Sequence, residues 1–258
     1  MKGVEQIPVV VAGATGKTGS AVGRAVHGAP DLLLAGAVSL HHAGTSLGVL
    51  WGDPSLPITL QGELDDIELP YAVLVDFTEP ESAMSRLLGA IRRGWDIVVG
   101  TTGFTAEARQ QLAAEVQEAG VGAALIANFS LGAWVAERLA KEASRYFNAV
   151  EVVESHHATK RDRPSGTAKT MASLLGESLS RPVDTIPVHS MRLPGMVAHQ
   201  AVVFGAQGQV LTIRHDVHDR TAYVDGVLAT IRQVHRLGGR MVSDLSEVLD
   251  PSRHHWDV

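Results

Sequence analysis

Near its start the chain carries the stretch Ile7-Pro8-Val9-Val10-Val11-Ala12-Gly13-Ala14-Thr15-Gly16-Lys17-Thr18-Gly19. Its apolar first half indicates a buried strand, and the alanine- and valine-rich segment after the glycines predicts a helix that reaches His27. A strand, a glycine loop and a helix in this order let the backbone approach a pyrophosphate, which the helix N-terminus then binds. The spacing is G-x-x-G-x-x-G rather than G-x-G-x-x-G, so a tight turn without a ligand is the alternative. The position after a first strand favours dinucleotide binding.

Strands and helices go on alternating through the first half of the chain. Strands are expected at Leu32 to Val38, Ala72 to Val75, Ile97 to Val99 and Ala123 to Ala127, with helices at Pro80 to Arg93 and, capped by Thr105, up to Ala119. This order predicts a parallel sheet whose ligands bind outside the carboxyl ends of the strands. The cofactor-binding residues expected there are Gly13, Ala14, Thr15, Gly16, Lys17, Thr18, Ser39, Phe77, Thr78, Gly100, Thr101, Thr102, Ala127, Asn128 and Phe129.

Shorter strands with glycine-containing turns follow in the second half. The apolar runs Val150 to Val153, Ile186 to Leu193, Val197 to Phe204 and Gln209 to Ile213 predict a mixed four-stranded sheet. A helical period returns from Tyr223 to Leu237. The predicted fold class is therefore α/β, with a Rossmann-like parallel-sheet domain and a smaller α+β domain. We place the dinucleotide-binding domain at residues 1–129 and 221–258, and the second domain at 130–220.

The chemistry of the chain is concentrated in His156-His157-Ala158-Thr159-Lys160-Arg161-Asp162-Arg163-Pro164-Ser165-Gly166-Thr167-Ala168. Two histidines, a lysine and two arginines attract anions, and the helical pattern that starts after Pro164 predicts an uncapped helix N-terminus beside them. His156 and Lys160 are also candidate proton donors. A solvated basic loop is the alternative, but Pro-Ser-Gly-Thr at the start of a helix favours an anion site.

Composition narrows the classes of function. A net charge of −6 without a long basic tract argues against nucleic acid as the main partner. The absence of cysteine removes disulfides, thiolate metal sites and thiol nucleophiles. The histidine pairs His41-His42 and His254-His255 lack the spaced partners of a zinc site, so no metal is expected. No apolar run is long enough for a membrane span and no signal segment is recognisable, which predicts a soluble, cytoplasmic protein.

These segments resemble the 4-hydroxy-tetrahydrodipicolinate reductase family over nearly the whole chain. The matching motifs are Gly13 to Gly19, Val75-Asp76-Phe77-Thr78, Val99 to Phe104, Asn128-Phe129-Ser130 and, most specifically, Glu154-Ser155-His156-His157 with Lys160, Asp162 and Pro164 to Ala168. The resemblance implies that His156 and Lys160 are the proton-donating pair. It also implies substrate contacts at His157, Gly166, Thr167, Thr102 and Arg220.

The family resemblance implies reduction of a cyclic, unsaturated dicarboxylate by NADH or NADPH in diaminopimelate and lysine biosynthesis. It further implies a homotetramer and a second domain that binds substrate and mediates oligomerisation. Ser39 stands where an acidic residue is common, which predicts that NADPH is accepted at least as well as NADH. Two alternative hypotheses for the function remain: a reductase of the same fold that acts on another cyclic imine or amino-acid derivative, and an inactive relative that senses nucleotides.

Overall fold

The structure is a computed structural model that describes residues 6–249. Its strands are Ile7–Ala12 (β1), Leu32–Val38 (β2), Val73–Asp76 (β3), Asp96–Val99 (β4), Ala123–Leu125 (β5), Ala149–His156 (β6), Val188–Arg192 (β7), Ala198–Ala206 (β8), Gln209–Val217 (β9) and Met241–Val242 (β10). Its α-helices are Lys17–Gly28 (α1), Leu47–Trp51 (α2), Pro80–Arg92 (α3), Ala106–Ala119 (α4), Leu131–Ala143 (α5), Gly166–Leu179 (α6) and Val224–Gln233 (α7). Short 3₁₀ turns lie between some of them.

The described chain divides into two compact units. The first unit combines the residues up to Phe129 with those from Tyr223 onward, and the second unit spans Ser130–Ala222. Helix α7 and strand β10 therefore belong to the first unit, where α7 packs against α1.

A six-stranded parallel sheet forms the centre of the first unit, in the order β10-β5-β4-β3-β1-β2. Every residue of β3 and β4 is buried, as expected for central parallel strands that are covered on both faces. Helix α3 places Ala83, Leu87 and Ala90 into the core at helical spacing. The parallel arrangement brings the carboxyl ends of β1, β3, β4 and β5 to one edge.

The second unit contains a mixed sheet in the order β7-β6-β8-β9. Strands β6 and β7 are parallel, whereas β6 with β8 and β8 with β9 are antiparallel. Alternate residues of β6 and β8 pack with α5 and α6 in one core, which includes Val152, Phe204 and Met171. The opposite face carries Met191 and Val210, which are 42% and 70% exposed.

The predicted fold class is confirmed, and several element boundaries are corrected. Strand β5 ends at Leu125 rather than Ala127, while β6 runs on to His156 because β8 pairs with it along its whole length. The predicted helix from Tyr223 to Leu237 is regular only over Val224–Gln233 and continues as a 3₁₀ turn. Strand β10 and helix α2 were not predicted, since two and five residues are too short to show a period.

Candidate active site

The glycine loop after β1 is packed too tightly to accept side chains. Gly13 has φ of +81°, and a Cβ there would lie 2.5 Å from the carbonyl oxygen of Phe77. A Cβ on Gly19 would lie 2.1 Å from the carbonyl oxygen of Gly13. The loop therefore folds back on the start of α1 as a glycine cradle.

Helix α1 begins with its N-terminus open to an anion. Its N-cap is Gly16, which supplies no side-chain hydrogen bond, and Thr15, Gly16 and Lys17 are exposed. First-turn N–H groups that have no partner within the helix, the helix dipole and a nearby lysine fit a pyrophosphate. Beneath the loop, the Trp51 indole Nε1 donates to the carbonyl oxygen of Ala14 at 3.2 Å and so holds the loop in place.

Ser39 directly follows β2, and its hydroxyl lies beside the glycine loop. Ser39 Oγ is 3.5 Å from Thr15 Oγ1 and 3.3 Å from His42 Nδ1. His41 and His42 are both exposed in the same 3₁₀ turn. This corner therefore presents hydroxyl and imidazole groups to an adenosine ribose or its 2′-phosphate, with no carboxylate among them.

An ion-pair network that sequence reasoning missed fixes the loops after β3 and β4. Asp76 is fully buried, and its Oδ1 accepts from Thr78 N (3.0 Å), Thr78 Oγ1 (2.6 Å) and Thr101 Oγ1 (2.8 Å). Arg86 Nε donates to Asp76 Oδ2 at 2.9 Å, and Arg86 Nη2 donates to Thr78 Oγ1 at 2.8 Å. The sequence held one signal for this network, because Asp76 is a carboxylate at the end of an otherwise apolar strand.

The remaining predicted cofactor residues lie at the same edge of the first unit. Gly100 N donates to the backbone oxygen of Asp76, and the rings of Phe77 and Phe129 are 6.0 Å apart. Thr102 and Ala127 are exposed, while Phe129 is buried. The structure thus brings the cofactor-binding residues predicted from the sequence to one edge of the parallel sheet. Those residues are Gly13, Ala14, Thr15, Gly16, Lys17, Thr18, Ser39, Phe77, Thr78, Gly100, Thr101, Thr102, Ala127, Asn128 and Phe129.

In the second unit, the end of β6 carries a buried histidine–carboxylate pair. His156 is only 8% exposed, and its Nδ1 lies 2.5 Å from Oε2 of the fully buried Glu154. Arg192, on the parallel strand β7, donates from Nη1 to Glu154 Oε2 and from Nη2 to Glu154 Oε1, each at 2.8 Å. Glu154 and Arg192 were not predicted as site residues.

These contacts shift the protonation equilibria of the pair. Burial alone would raise the pKa of Glu154, but hydrogen bonds from Arg192, Ser190 and His156 outweigh it and lower the pKa to about 2. Burial is the main cause that lowers the pKa of His156; the nearby Glu154 opposes this effect, and the positive charges of Lys160 and Arg192 add to it. Glu154 is therefore a carboxylate, and the neutral form of His156 is favoured.

The loop after β6 is less positive than its composition suggested. Lys160 Nζ forms an ion pair with Asp162 Oδ1 at 2.8 Å, and this hydrogen bond lowers the pKa of Asp162. His157 is exposed, and its Nδ1 lies 2.8 Å from Thr159 Oγ1. Part of the positive charge in this loop is thus compensated within the loop itself.

The prediction of an uncapped start of α6 is wrong. Ser165 is the N-cap, and its Oγ accepts from Ala168 N at 3.2 Å and lies 3.2 Å from Thr167 Oγ1. Ser165 N donates to Glu154 Oε1 at 3.3 Å, which ties the helix start to the buried pair. Serine directly before a helix is a preferred N-cap, so the cap was visible in the sequence. Gly166 is exposed at the first turn.

His156, His157, Lys160, Gly166 and Thr167 thus belong to one strand end, the loop after it and the helix start that follows. The other two predicted substrate residues belong to other segments of the chain. Arg220 is exposed at the carboxyl end of the second unit, and Thr102 belongs to the first unit.

No group of three or more His, Cys, Asp or Glu side chains within residues 6–249 could hold a metal ion. No helix in that range is long and apolar enough to cross a membrane.

The fold and the candidate site together indicate the class of protein. A parallel sheet with a glycine cradle at its carboxyl edge is typical of Rossmann-like dinucleotide-binding proteins. Here the cradle is combined with a second unit that contains a histidine–carboxylate pair beside a lysine. The class is therefore that of Rossmann-like proteins with a separate α+β unit that carries titratable groups.

Comparison with known proteins gives the family. Family models described as dihydrodipicolinate reductase, N-terminus and C-terminus, match residues 7–129 and 132–249. The 4-hydroxy-tetrahydrodipicolinate reductase of Nostoc punctiforme is 43% identical over 258 residues, which cover 88% of this chain and 93% of that protein. The enzyme of the same name from Symbiobacterium thermophilum is 43% identical over 255 residues, which cover 96% and 99%. This chain belongs to the dihydrodipicolinate reductase family.

A solved structure agrees with this assignment. Dipicolinate-bound dihydrodipicolinate reductase from Paenisporosarcina sp. TG-14 superposes with a TM-score of 0.79 at 30% sequence identity, over 95% of this chain and 100% of that chain.

Proposed function

We propose that this chain reduces 4-hydroxy-tetrahydrodipicolinate to tetrahydrodipicolinate with NADH or NADPH, in diaminopimelate and lysine biosynthesis. The observation that carries the proposal is the buried Glu154–His156 pair beside Lys160 and the capped start of α6, in a chain of this family. The relative from Paenisporosarcina holds dipicolinate, which supports a small dicarboxylate as the substrate class.

The glycine cradle and the start of α1 would hold the pyrophosphate of the cofactor through backbone N–H groups. Thr15, Lys17 and Ser39 would face the adenosine end, and Phe77, Thr78, Gly100 and Thr101 belong to the loops at the carboxyl ends of β3 and β4. Bound there, the nicotinamide supplies the hydride. The Asp76–Arg86 ion pair keeps the β3 and β4 loops in one conformation, so the side chains and N–H groups at this edge are pre-organised.

The reaction takes up one hydride and one proton and releases water. The proton must come from a positioned donor, because negative charge develops on the conjugated system when the hydride arrives. We assign this role to His156 and Lys160 together. His156 acts through Nε2, directly or through a water molecule, since its Nδ1 is engaged by Glu154. Lys160 supplies an ammonium group that is held by Asp162.

The substrate carries two carboxylates, and the second unit offers suitable groups for them. We assign one carboxylate to the first turn of α6, where Gly166 N–H and the Thr167 hydroxyl can donate, together with His157. Arg220 and Thr102 are assigned as further substrate contacts on the family resemblance.

The family resemblance also supports a cytoplasmic homotetramer with no nucleic-acid or membrane partner. The open face of the mixed sheet, with Met191 and Val210 exposed, offers an apolar surface for such an assembly. Sedimentation of the purified protein tests this part separately.

A coupled assay tests the activity. A synthase generates the hydroxy-dicarboxylate in place, and oxidation of NADPH or NADH is followed by absorbance. We expect oxidation only when the synthase and its substrates are present. Lys160→Ala should abolish most of the activity, whereas Lys169→Ala, at an exposed position of α6, should not change it. Failure of the wild-type protein with both cofactors would refute the proposal.

A further inference from the structure

Glu154 accepts hydrogen bonds on both carboxylate oxygens from groups that are themselves fixed. Its Oε2 faces His156 Nδ1 at 2.5 Å and Arg192 Nη1 at 2.8 Å. Its Oε1 faces Arg192 Nη2 at 2.8 Å and Ser165 N at 3.3 Å. Because residues two apart on a strand point to the same face, Glu154 and His156 are neighbours by construction of β6.

Arg192 is placed by the sheet register. It pairs with His156 across the parallel strands β6 and β7, and its side chain is almost completely buried. It also donates from Nη2 to the backbone oxygen of Asp162 at 2.6 Å, so the same guanidinium holds the loop that carries Lys160. Arg192 therefore connects the carboxylate, the histidine and the lysine loop.

Stability alone does not explain this buried pair. Replacement of a buried ion pair by apolar side chains of similar volume is often neutral or stabilising. Within residues 6–249, Arg192 Nε is buried and has no hydrogen-bond partner, which is a further cost of keeping an arginine here. A fully buried carboxylate and guanidinium next to a proton-transfer residue are better explained by an effect on that residue.

We propose that Glu154, clamped by Arg192, is the positioning residue of this site: it holds His156 as the Nδ1–H tautomer and leaves Nε2 as the ring atom that exchanges the proton. This inference rests on the proposed function. A carboxylate can only accept, so the 2.5 Å contact requires the proton on Nδ1. The neutral ring then has its lone pair on Nε2, and protonation during the cycle adds the mobile proton at Nε2.

The charged groups that act on His156 are Glu154 from its own strand, Arg192 from β7 and Lys160 from the following loop. The start of α6 contributes only uncharged groups through Ser165. Of the three charges, only Glu154 favours the imidazolium. Loss of its charge should therefore lower the pKa of His156 further, as the two cations remain.

Glu154→Gln tests the assigned His156 tautomer, because the glutamine amide has an acceptor oxygen and a donor NH₂ group and can adopt two orientations. The Oε1 position faces two obligate donors, Arg192 Nη2 and Ser165 N, whereas the Oε2 position faces one, Arg192 Nη1, so the amide oxygen should occupy the Oε1 position. The NH₂ group then takes the Oε2 position and donates to Nδ1 of His156. The variant should therefore switch the ring to the Nε2–H tautomer.

The surface pair Glu151–His189 provides the matched control. It joins the same two strands at 2.7 Å, but its side chains are 57% and 55% exposed, and it lies on the opposite face of the sheet. Glu151→Gln removes the same charge from the same strand without touching the site. Because this face is also the one assigned to subunit assembly, sedimentation of the variant must first match that of the wild type. We then expect kcat, the pH profile and the His156 tautomer to be unchanged.

The experiment combines imidazole ¹⁵N chemical shifts of protein labelled at histidine with steady-state pH profiles. The His156 signals are assigned by their loss in His156→Asn. We expect the Nδ1–H tautomer in the wild type and the Nε2–H tautomer in Glu154→Gln. In this variant kcat should fall by roughly tenfold or more with an unchanged KM for the cofactor. In the pH profile of kcat, the limb that reports titration of His156 should move to lower pH by about one unit or more.

An Nε2–H ring in the wild type, or a Glu154→Gln variant with the wild-type tautomer and pH profile, would overturn the inference. Either result leaves the proposed function standing if the wild type reduces the substrate. If the wild type is inactive but carries the Nδ1–H ring, the proposed function fails and the positioning geometry stands. If Glu154→Gln does not fold because Arg192 is left unpaired, the double variant Glu154→Gln/Arg192→Met removes both charges, and a wild-type kcat in it would overturn the inference.

Discussion

Replacement of Gly19 by alanine tests whether the close packing of the glycine loop creates the nucleotide site. The new Cβ would lie 2.1 Å from the carbonyl oxygen and 2.6 Å from the carbonyl carbon of Gly13. These are backbone atoms, so no flexible side chain can move away. Helix α1 and the loop must therefore separate by about 1 Å to restore an ordinary contact.

The expected loss of stability follows from the size of this overlap. Overpacking by one carbon against a fixed neighbour typically costs about 1–3 kcal/mol, and the better helix propensity of alanine returns at most about 1 kcal/mol of that. We expect a lower melting temperature. We also expect NADPH affinity to fall about tenfold or more, equivalent to about 1.4 kcal/mol, because the N–H groups of α1 move away from the loop.

Gly28→Ala is the matched control, since it makes the same substitution at the last residue of the same helix. Nothing lies within 4 Å of a Cβ at Gly28, so its melting temperature should be unchanged or slightly higher. Isothermal titration with NADPH and thermal unfolding by circular dichroism measure both variants. If Gly19→Ala bound NADPH within twofold of the wild type, the glycine cradle would not be the nucleotide site.

The other predictions concern the proton donors, the substrate and the choice of cofactor. His156→Ala and Lys160→Ala should each lower turnover by about a hundredfold with nearly intact NADPH binding; wild-type kcat in either variant would remove its role. Thr167→Val should mainly raise KM for the dicarboxylate, and a fall in kcat at constant KM would contradict this. Ser39→Asp should shift kcat/KM toward NADH, whereas Lys17→Ala should weaken NADPH selectively; a tenfold wild-type preference for NADH would argue against both.

The first unit could be predicted well because its signals are local. The valine run of β1 and the apolar segments of β3 and β4 are contiguous, as buried parallel strands require. Thr105 and Gly120 mark the two ends of α4 by side-chain capping and a left-handed C-cap, both of which depend on residue type. Strand β10 could not be predicted from local sequence, since only its pairing with β5 defines it as a strand.

The same holds for the candidate site: residues close together in the sequence could be predicted, whereas residues that only the fold brings together could not. His156 and Lys160 could be predicted because reactive side chains cluster within a few residues of sequence, at the end of β6 and in the loop after it. Arg192 could not, since it lies 38 residues beyond Glu154 and reaches it only through the parallel register of β6 and β7. Asp76 and Arg86 were missed for a similar reason, because their ion pair depends on how α3 returns onto the sheet.

Charge counting overestimated how strongly the loop after β6 attracts anions. Its lysine is paired with Asp162 at 2.8 Å. The buried Arg192 of β7, which also contacts this loop, is paired with Glu154. A dicarboxylate therefore meets a loop whose lysine is already paired with a carboxylate. Directional donors, such as the first-turn N–H of Gly166 and the Thr167 hydroxyl, must then supply a larger share of the binding. Because such donors fix the plane of a carboxylate and a diffuse positive field does not, this arrangement favours recognition of substrate geometry over simple attraction of anions.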